Sequence, residues 1–379
     1  MIYLDNSATT FPKPAAVRKA VSDSIVQYGA NPGRSGHSMA IRASEEMYRC
    51  RSSAARLFNA GSPENVVFTL NCTHAINIVL KGLLRKGDHV VISDMEHNAV
   101  VRPLHALKAR GVSYTAAKIS VDDPEETLAS FRNAIQENTK LFVCTHVSNV
   151  WGIRLPIERI AAMCHQYGIE VLADVSQSAG VLPLDMTDYG IDYLCTAGHK
   201  GLYSPMGIGM LITPHGEKLN TFIEGGTGSN SAVFDQPEMM PDRFESGTQN
   251  LPAIAGLRAG IDFVTRVTPE KIHAHEIKLL GDLYDRLKDN NRVILYTPRP
   301  NIKNSGGVLS FNIKDTDSET TAEYLNTRYG IAVRAGLHCA VLAHKHFSTE
   351  KQGTVRISPS YFTTASDIAV LSKAVNSYR

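Results

Sequence analysis

One lysine of the sequence has the setting of a residue that forms a Schiff base. The apolar run Tyr193–Thr196 predicts a buried strand, and it leads into Ala197-Gly198-His199-Lys200, which opens a tight loop. An amine held on a loop of small residues at the end of a strand can attack a carbonyl group. Because an isolated lysine is normally solvated, the assignment of Lys200 depends on the residues that accompany it.

An aspartate ends another apolar run, 26 residues before that lysine. Asp174 closes the predicted strand Glu170–Ala173, and Gln177 follows it three positions later. A carboxylate buried without a partner is strongly unfavourable, so it needs a cation beside it. Two partners stay open for Asp174: an arginine in a structural salt bridge, or the protonated ring nitrogen of a pyridine.

The start of a predicted helix offers an anion site. The strand Val66–Leu70 is followed by the polar string NCTH, in which Thr73 precedes a helical pattern that begins at Ala75. Free backbone N–H groups and the threonine hydroxyl at a helix N-terminus can hold a phosphate. Taken alone, an ordinary N-cap role for Thr73 explains the same pattern.

A histidine follows a third apolar run. His97 comes shortly after the predicted strand His89–Ser93, and its imidazole can stack on a ring and exchange protons near it. A structural histidine is the alternative. An amine at Lys200, a carboxylate at Asp174 and an anion site at Thr73 are three requirements of pyridoxal phosphate, and ligands of α/β sheets collect where these strands end.

Composition excludes several classes of function. The 379 residues carry 39 Lys and Arg against 37 Asp and Glu, a balance that argues against nucleic-acid or membrane-surface binding. The longest uncharged stretch, Gly201–Gly216, contains prolines and is shorter than the roughly 20 apolar residues that span a bilayer. The start lacks a basic segment followed by an apolar one, so we expect a cytoplasmic protein.

The six cysteines form no C-x-x-C pair. Their scatter argues against a zinc site and against a disulfide framework in a chain of this length, so no metal is expected. Most should be buried thiols that behave as small hydrophobic residues. The six cysteines are Cys50, Cys72, Cys144, Cys164, Cys195 and Cys339.

Helical patterns alternate with short apolar runs from about residue 15 to residue 216. Continuous apolar runs between helices are typical of a mostly parallel sheet covered on both faces, so we predict an α/β domain. The predicted helices are Ala15–Tyr28, Ile41–Asn59, Ala75–Leu84, Val100–Arg110, Pro124–Gln136 and Pro156–Tyr167. The predicted strands are Val66–Leu70, His89–Ser93, Leu141–His146, Glu170–Asp174, Tyr193–Ala197 and Ile208–Thr213.

The rest of the chain predicts a long loop and a smaller α+β unit. Residues Gly225–Ser231 are rich in glycine, serine and asparagine, and the irregular stretch through Asn250 is long enough to be a functional loop. We predict a large domain over residues 15–255 and a small one from residues 1–14 and 256–379. After the loop, helices are predicted at Leu251–Thr265 and Pro269–Leu287. The predicted elements of the smaller α+β unit are Gly307–Ile313, Ser318–Tyr329, Ile331–Arg334, Thr354–Ser358 and Ala365–Tyr378.

The sequence resembles the class V, fold-type I pyridoxal-phosphate enzymes, and within them the cysteine desulfurase and selenocysteine lyase family. The resemblance covers essentially the whole chain, from YLDNSATTFPKP at residues 3–14 to VRISPSYFTT at residues 355–364. Between them lie EHNAV at 96–100, HVSNVWG at 146–152, ADVSQSAG at 173–180, AGHK at 197–200, RFESGTQN at 243–250 and RAGLHCA at 334–340. It implies a mostly parallel seven-stranded sheet in the large domain, a smaller α+β C-terminal domain, and pyridoxal 5'-phosphate as cofactor.

The resemblance also implies roles at the cofactor. Lys200 forms the Schiff base, Asp174 pairs with the ring nitrogen, and His97 stacks on the ring. The remaining implied contacts, to the phenolic oxygen and the phosphate, are Gln177, Asn149, Thr73, His74, His199 and Thr248, the last reaching the phosphate across a homodimer interface.

On the substrate side, Arg356 resembles the arginine that clamps the substrate carboxylate, a task suited to its planar fork. Asn149, Arg334 and His37 complete the implied substrate set. Cys339 resembles the sulfur-accepting nucleophile of the family, with a buried hydrophobic role as its alternative. The catalytic residues are therefore expected to be Lys200, Cys339 and His97.

A thiolate is the reactive form of such a cysteine, and we expect His338, Arg334 and the cofactor to lower the pKa of Cys339. The sequence departs from the family pattern in three places. The string NCTH replaces a more usual Gly-Thr-Thr-Glu, Leu337 stands where histidine is frequent, and Val341 where proline is common. The segment around Cys339 has no long insertion, so it resembles the group with a short, structured cysteine loop, whose members tend to need an activating partner.

The function that the resemblance implies is a cysteine desulfurase, which converts L-cysteine to L-alanine and places the sulfur on Cys339 as a persulfide for an acceptor protein. Three alternatives stay open. They are a selenocysteine lyase acting on L-selenocysteine, a class V aminotransferase, and a cofactor-free protein that binds a sulfur carrier. The set of Lys200, Asp174, His97 and Arg356 argues against the last.

Overall fold

The computed structural model of the protein describes residues 1–33, 36–229 and 231–378. Asn230, within the predicted loop Gly225–Ser231, lies outside the described residues. The described helices are α1 Ala15–Tyr28, α2 Ser38–Phe58, α3 Cys72–Leu83, α4 Asn98–Leu107, α5 Pro124–Ala134, α6 Ile157–Gln166, α7 Leu251–Val267, α8 Pro269–Leu287, α9 Ser318–Tyr329, α10 Val341–His346 and α11 Ala365–Asn376. The described strands are β1 Ile2–Tyr3, β2 Val66–Thr69, β3 His89–Ser93, β4 Ser113–Ala117, β5 Thr139–Thr145, β6 Glu170–Asp174, β7 Tyr193–Ala197, β8 Gly209–Ile212, β9 Val293–Leu295, β10 Leu309–Ile313, β11 Ile331–Ala332 and β12 Val355–Ile357.

A seven-stranded sheet forms the centre of the larger unit, in the order β2-β8-β7-β6-β5-β3-β4. The strands from β7 to β4 are parallel, while β8 runs antiparallel to both β7 and β2. The prediction of an α/β fold with a mostly parallel seven-stranded sheet is therefore confirmed.

Both faces of this sheet are buried, which explains why its strands have continuous apolar sequences. Along β2, Val66 and Phe68 contribute to the apolar core on one face, and Val67 contributes to the core on the other. Successive side chains of a strand point to opposite faces, so each residue needs an apolar type when helices cover both sides. Strand β4 escaped prediction because it lies at the sheet edge, where four of its five residues are at least partly exposed.

The smaller unit has its own apolar core and includes the N-terminal segment. Strands β12, β10 and β9 form an antiparallel sheet, and β1 pairs in parallel with β11. Leu4 packs in the same core as residues of α8, α9 and α11. The predicted boundary at residue 255 falls inside α7, whose Leu257 and Ile261 still pack in the core of the large sheet.

Several helices begin earlier than the sequence pattern indicated. Helix α2 is capped by His37, whose side chain accepts a hydrogen bond from the Ala40 N–H, and α4 is capped by His97 in the same way. Helix α3 begins at Cys72, with Asn71 rather than Thr73 as its N-cap. Histidine is outside the group of short polar residues that usually mark an N-cap, so no local pattern indicates where α2 and α4 start.

A buried ion pair anchors the irregular segment that follows the large sheet. Glu245 accepts two hydrogen bonds from Arg51 of α2, one of them at 2.8 Å, and a third from the Phe68 N–H at 2.6 Å. Both charged residues are only 7% exposed. The pair therefore fixes the chain three residues before Thr248.

Replacing Glu245 with alanine should lower the free energy of unfolding by about 3–5 kcal/mol, because Arg51 would stay buried without its partner. Denaturant titration followed by circular dichroism measures this loss. The matched control is Glu45→Ala, which breaks an exposed pair with Arg49 and should cost less than about 1 kcal/mol. Equal losses in the two variants would contradict the prediction.

Candidate active site

A cavity of about 230 Å³ lies where five strands of the large sheet end. It brings together nine residues that the sequence analysis assigned to a site. These are Thr73, His97, Asn149, Asp174, Gln177, His199, Lys200, Arg334 and Arg356.

Asp174 ends β6 and is buried, and only one of its carboxylate oxygens has partners. Its Oδ1 accepts a hydrogen bond from the Ser176 N–H at 2.9 Å and one from the Cys72 thiol at 3.5 Å. No described residue donates to its Oδ2, although Asp174 lines the cavity. The geometry thus leaves one carboxylate oxygen for a cationic partner such as a protonated ring nitrogen.

Lys200 follows β7 in the same cavity. Burial lowers the pKa of its amine, and the nearby Asp174 opposes that effect. Its backbone is fixed by the N-terminal segment, since the Lys200 carbonyl accepts a hydrogen bond from the Thr10 hydroxyl at 3.1 Å. Lys13 Nζ donates to the carbonyl of the preceding His199 at 2.8 Å. An amine on a fixed loop, with its pKa lowered by burial, is suited to nucleophilic attack and to proton transfer.

An anion site lies at the N-terminus of α3. The Asn71 side chain accepts a hydrogen bond from the His74 N–H at 2.9 Å, while the N–H groups of Cys72 and Thr73 make no hydrogen bond among the described residues. His199 Nδ1 is buried and has no partner there either. Burial lowers the pKa of His199 to about 4. These donors fit a phosphate group.

His97 is neutral at physiological pH. Burial lowers its pKa to about 4, despite the opposing effect of Asp174. Its Nδ1 accepts a hydrogen bond from the Ala99 N–H at 3.0 Å, so the proton of the neutral ring is on Nε2. The neighbouring Glu96 accepts a hydrogen bond from the Thr145 N–H at 2.7 Å, which ties the start of α4 to the end of β5.

Arg356 is 1% exposed and is held from two sides. Its Nη2 donates to Asp5 at 2.8 Å and its Nη1 donates to the Asn149 carbonyl at 3.0 Å, while Nε has no partner among the described residues. The Asn149 side chain in turn donates to the His338 carbonyl at 2.7 Å. One asparagine therefore links the guanidinium to the segment that carries Cys339.

Cys339 is the one exposed cysteine of the described residues. It follows His338, which lines the cavity, and its carbonyl accepts a hydrogen bond from the Asn98 N–H at 2.7 Å. Burial lowers the pKa of His338 to about 2, so this ring is neutral and adds no positive charge beside the thiol. Among the two residues expected to favour the thiolate, Arg334 alone carries charge.

Besides Cys339, three predicted site residues are not among those that line this cavity. His74 is the third residue of α3, and its Nδ1 accepts a hydrogen bond from the Leu70 N–H at 3.2 Å. His37 is exposed and caps α2. Thr248 is exposed as well. The assignments of these three residues to the cofactor and the substrate stay predictions.

The cavity also contains residues that the sequence analysis did not assign to it. Ser7 lines the cavity and lies in the string YLDNSATTFPKP at residues 3–14. Its place in that string was the signal by which it could have been assigned to the site. Cys72 was grouped with structural thiols, but its sulfur contacts Asp174. The pKa of Cys72 is raised well above its ordinary value by burial and by the charge of Asp174, so the thiol keeps its proton.

Comparison with known proteins places the chain among relatives of similar length. The family model "Aminotransferase class-V" matches residues 2–371. A "probable cysteine desulfurase" of Methanothermobacter thermautotrophicus is 35% identical over 386 residues, covering 99% of this chain and 94% of that protein. Another of the same description, from Synechocystis, is 32% identical and covers 97% of this chain and 88% of that protein.

Solved structures give the same result. A cysteine desulfurase from Thermococcus onnurineus in its apo form superposes with a TM-score of 0.89 at 27% identity, covering 99% of this chain and 94% of that one. The cysteine desulfurase CsdA from Escherichia coli superposes with a TM-score of 0.88 at 26% identity, covering 99% and 93%.

The burial of the thiols predicts that one of six is reactive in the native protein. Alkylation by iodoacetamide at neutral pH, followed by mass spectrometry of peptides, should modify Cys339 and spare the five buried cysteines. All six should react in denaturant, which serves as the control. Modification of Cys72 at a rate similar to that of Cys339 would contradict its burial against Asp174.

Glu96 predicts a pH dependence of stability. Burial raises its pKa to about 8, so the native state keeps a proton that the unfolded chain releases above about pH 4.5. Stability should therefore fall by about 2 kcal/mol between pH 6 and pH 8 from this group. The Glu96→Gln variant, which mimics the protonated acid, should lack this component. Parallel pH profiles of the free energy of unfolding for both proteins would contradict it.

Proposed function

The chain belongs to the class-V aminotransferase family, among its cysteine desulfurases, and from that premise we propose that it converts L-cysteine to L-alanine with pyridoxal 5'-phosphate as cofactor. The sulfur passes to Cys339 as a persulfide. One observation carries the proposal: Lys200, Asp174 and Arg356 line one cavity. His338 lines it too, and the exposed Cys339 is the next residue of the chain.

The residues of the cavity fit the cofactor. The free Oδ2 of Asp174 suits a protonated ring nitrogen, and the N–H groups that begin α3, with the unpartnered His199 Nδ1, suit a phosphate. Bound pyridoxal phosphate supplies an electron sink when the α-proton of an amino acid is removed. Gln177 and His97 also line the cavity and are assigned to the phenolic oxygen and to the ring face.

The protein's own groups bind the substrate and move its protons. Arg356 binds the carboxylate of L-cysteine through its remaining N–H groups, and Asn149 holds that guanidinium in place. Lys200, whose amine is neutral in a larger fraction because of burial, accepts the α-proton. Neutral His97 donates a hydrogen bond from its Nε2–H without placing another positive charge in the cavity.

The sulfur transfer balances without an external oxidant or reductant. The thiolate of Cys339 attacks the substrate sulfur, an S–S bond forms, and the bond between Cβ and sulfur breaks. Its electron pair goes to Cβ, which takes a proton and becomes the methyl group of alanine. Arg334 makes no hydrogen bond or ion pair through its side chain to the described residues, so its charge remains available to the thiolate and the substrate.

The proposal extends to a homodimer in the cytoplasm. The segment around Thr248 exposes large apolar side chains, including Phe234, Met239 and Ile223, which a second copy would cover. In that dimer Thr248 and His37 reach the partner's site. A free thiol exposed at the surface persists in a reducing compartment, which fits the cytoplasm. The exposure of Cys339 also gives an acceptor protein direct access to the persulfide. No helix among residues 1–33, 36–229 and 231–378 is long and apolar enough to cross a membrane.

Alanine release from L-cysteine and from L-selenocysteine tests the proposal. The Cys339→Ala variant should lose at least about 10²-fold of its turnover of L-cysteine while keeping the absorption band of the bound cofactor, because only the sulfur acceptor is removed. Cys164→Ala, at a buried thiol, is the matched control.

Full activity of Cys339→Ala on L-cysteine would falsify the persulfide step. Release of alanine from L-selenocysteine alone would instead identify a selenocysteine lyase. Pyruvate formation that depends on an added keto acid would identify an aminotransferase.

A further inference from the structure

Arg356 forms an ion pair with the carboxylate of Asp5. The Asp5 carboxylate accepts a hydrogen bond from Arg356 Nη2 at 2.8 Å and is itself about one-fifth exposed. Asp5 is not among the residues that line the cavity, whereas Arg356 is. The aspartate therefore contacts the guanidinium from the side that the substrate does not use.

The backbone of Asp5 is fixed independently of this ion pair. Its carbonyl accepts hydrogen bonds from the Ala8 N–H at 3.1 Å and from the Tyr3 hydroxyl at 3.2 Å, and the residue forms a bridge with Ser358. The strand partners of Tyr3 also hold this segment. An anchoring role for the segment thus does not require the carboxylate, which leaves its charge to be explained.

The charge balance around the substrate carboxylate supplies the explanation. Arg356 and Arg334 both line the cavity, and their backbones pair with each other in an isolated antiparallel β-bridge. Two guanidinium groups without an anion would bind any carboxylate strongly, the product L-alanine as well as the substrate L-cysteine, since the two share this group. A fixed negative charge behind Arg356 weakens the attraction for both.

We propose that Asp5 is a positioning residue that orients Arg356 and moderates its affinity for the carboxylate of amino-acid ligands, so that alanine is released after each turnover. This inference rests on the proposed function, since it assumes that Arg356 binds a substrate carboxylate. Asp5 acts through Arg356 and touches neither the substrate nor the cofactor.

The test removes the charge and keeps the hydrogen-bond acceptor. In Asp5→Asn the side-chain oxygen can still accept from Arg356 Nη2, so orientation is retained while the negative charge is lost. We expect 3-mercaptopropionate, which has the thiol and carboxylate of cysteine but no amine, to bind about three- to tenfold more tightly to this variant by calorimetry. Inhibition by L-alanine should strengthen by a similar factor, and KM for L-cysteine should change more than kcat.

Cysteamine is the matched control ligand, because it has the thiol and the amine of cysteine but no carboxylate. Its affinity should be the same for Asp5→Asn and the wild-type holoenzyme. Unchanged or weaker binding of 3-mercaptopropionate, or an equal change for both ligands, would overturn the proposal. A purely structural role would lower the melting temperature and leave this ligand pair unaffected.

Two further measurements keep the result interpretable. If Asp5→Asn does not fold, Asp5→Ser removes the same charge with a smaller polar side chain, and the same tightening is expected. Alanine release from L-cysteine by the wild-type protein is measured first. Absence of this alanine release would refute the proposed function. The affinities of 3-mercaptopropionate and cysteamine for the variant and the wild-type protein test the role of Asp5 independently of that result.

Discussion

The buried carboxylate of Asp174 is the constraint around which the site is organised. A carboxylate at the end of a central strand is tolerated only when its oxygens have donors or a cation nearby. The protein satisfies Oδ1 with a backbone N–H and the Cys72 thiol, and leaves Oδ2 toward the cavity. Lys200 lies in the same cavity, where burial lowers the pKa of its amine, and the ring nitrogen of the cofactor is the cationic partner that we propose for Asp174.

The cavity joins the two units of the chain through the first ten residues. The Thr10 hydroxyl holds the Lys200 carbonyl, and the Asp5 carboxylate holds Arg356 of the smaller unit. Asn149 connects the large sheet to both Arg356 and the carbonyl of His338. Lys200, Arg356 and the cysteine segment are therefore positioned by one hydrogen-bonded network rather than by separate supports.

The sequence predicted what local patterns determine. Strands buried on both faces, such as Tyr193–Ala197, were found because every position needs an apolar residue. The edge strand Ser113–Ala117 was missed for the opposite reason, and His97 was not expected to cap a helix. The contact between Asp5 and Arg356 joins residues 351 positions apart, so no local pattern could reveal it. The family resemblance supplied the roles of Cys339 and Thr248, which spacing alone did not.

The backbone geometry of the cysteine segment limits how far the Cys339 thiol can move. His338 and Cys339 both have left-handed backbone conformations, with φ of 48° and 58°, which cost about 1–2 kcal/mol for each residue that is not glycine. Hydrogen bonds from Asn149 and Asn98 to their carbonyls offset that cost and fix the turn. Under the proposed function, a cysteine held in this way would keep its persulfide close to the cavity. A sulfur acceptor would then have to approach the exposed thiol, beside which Leu337 is 40% exposed.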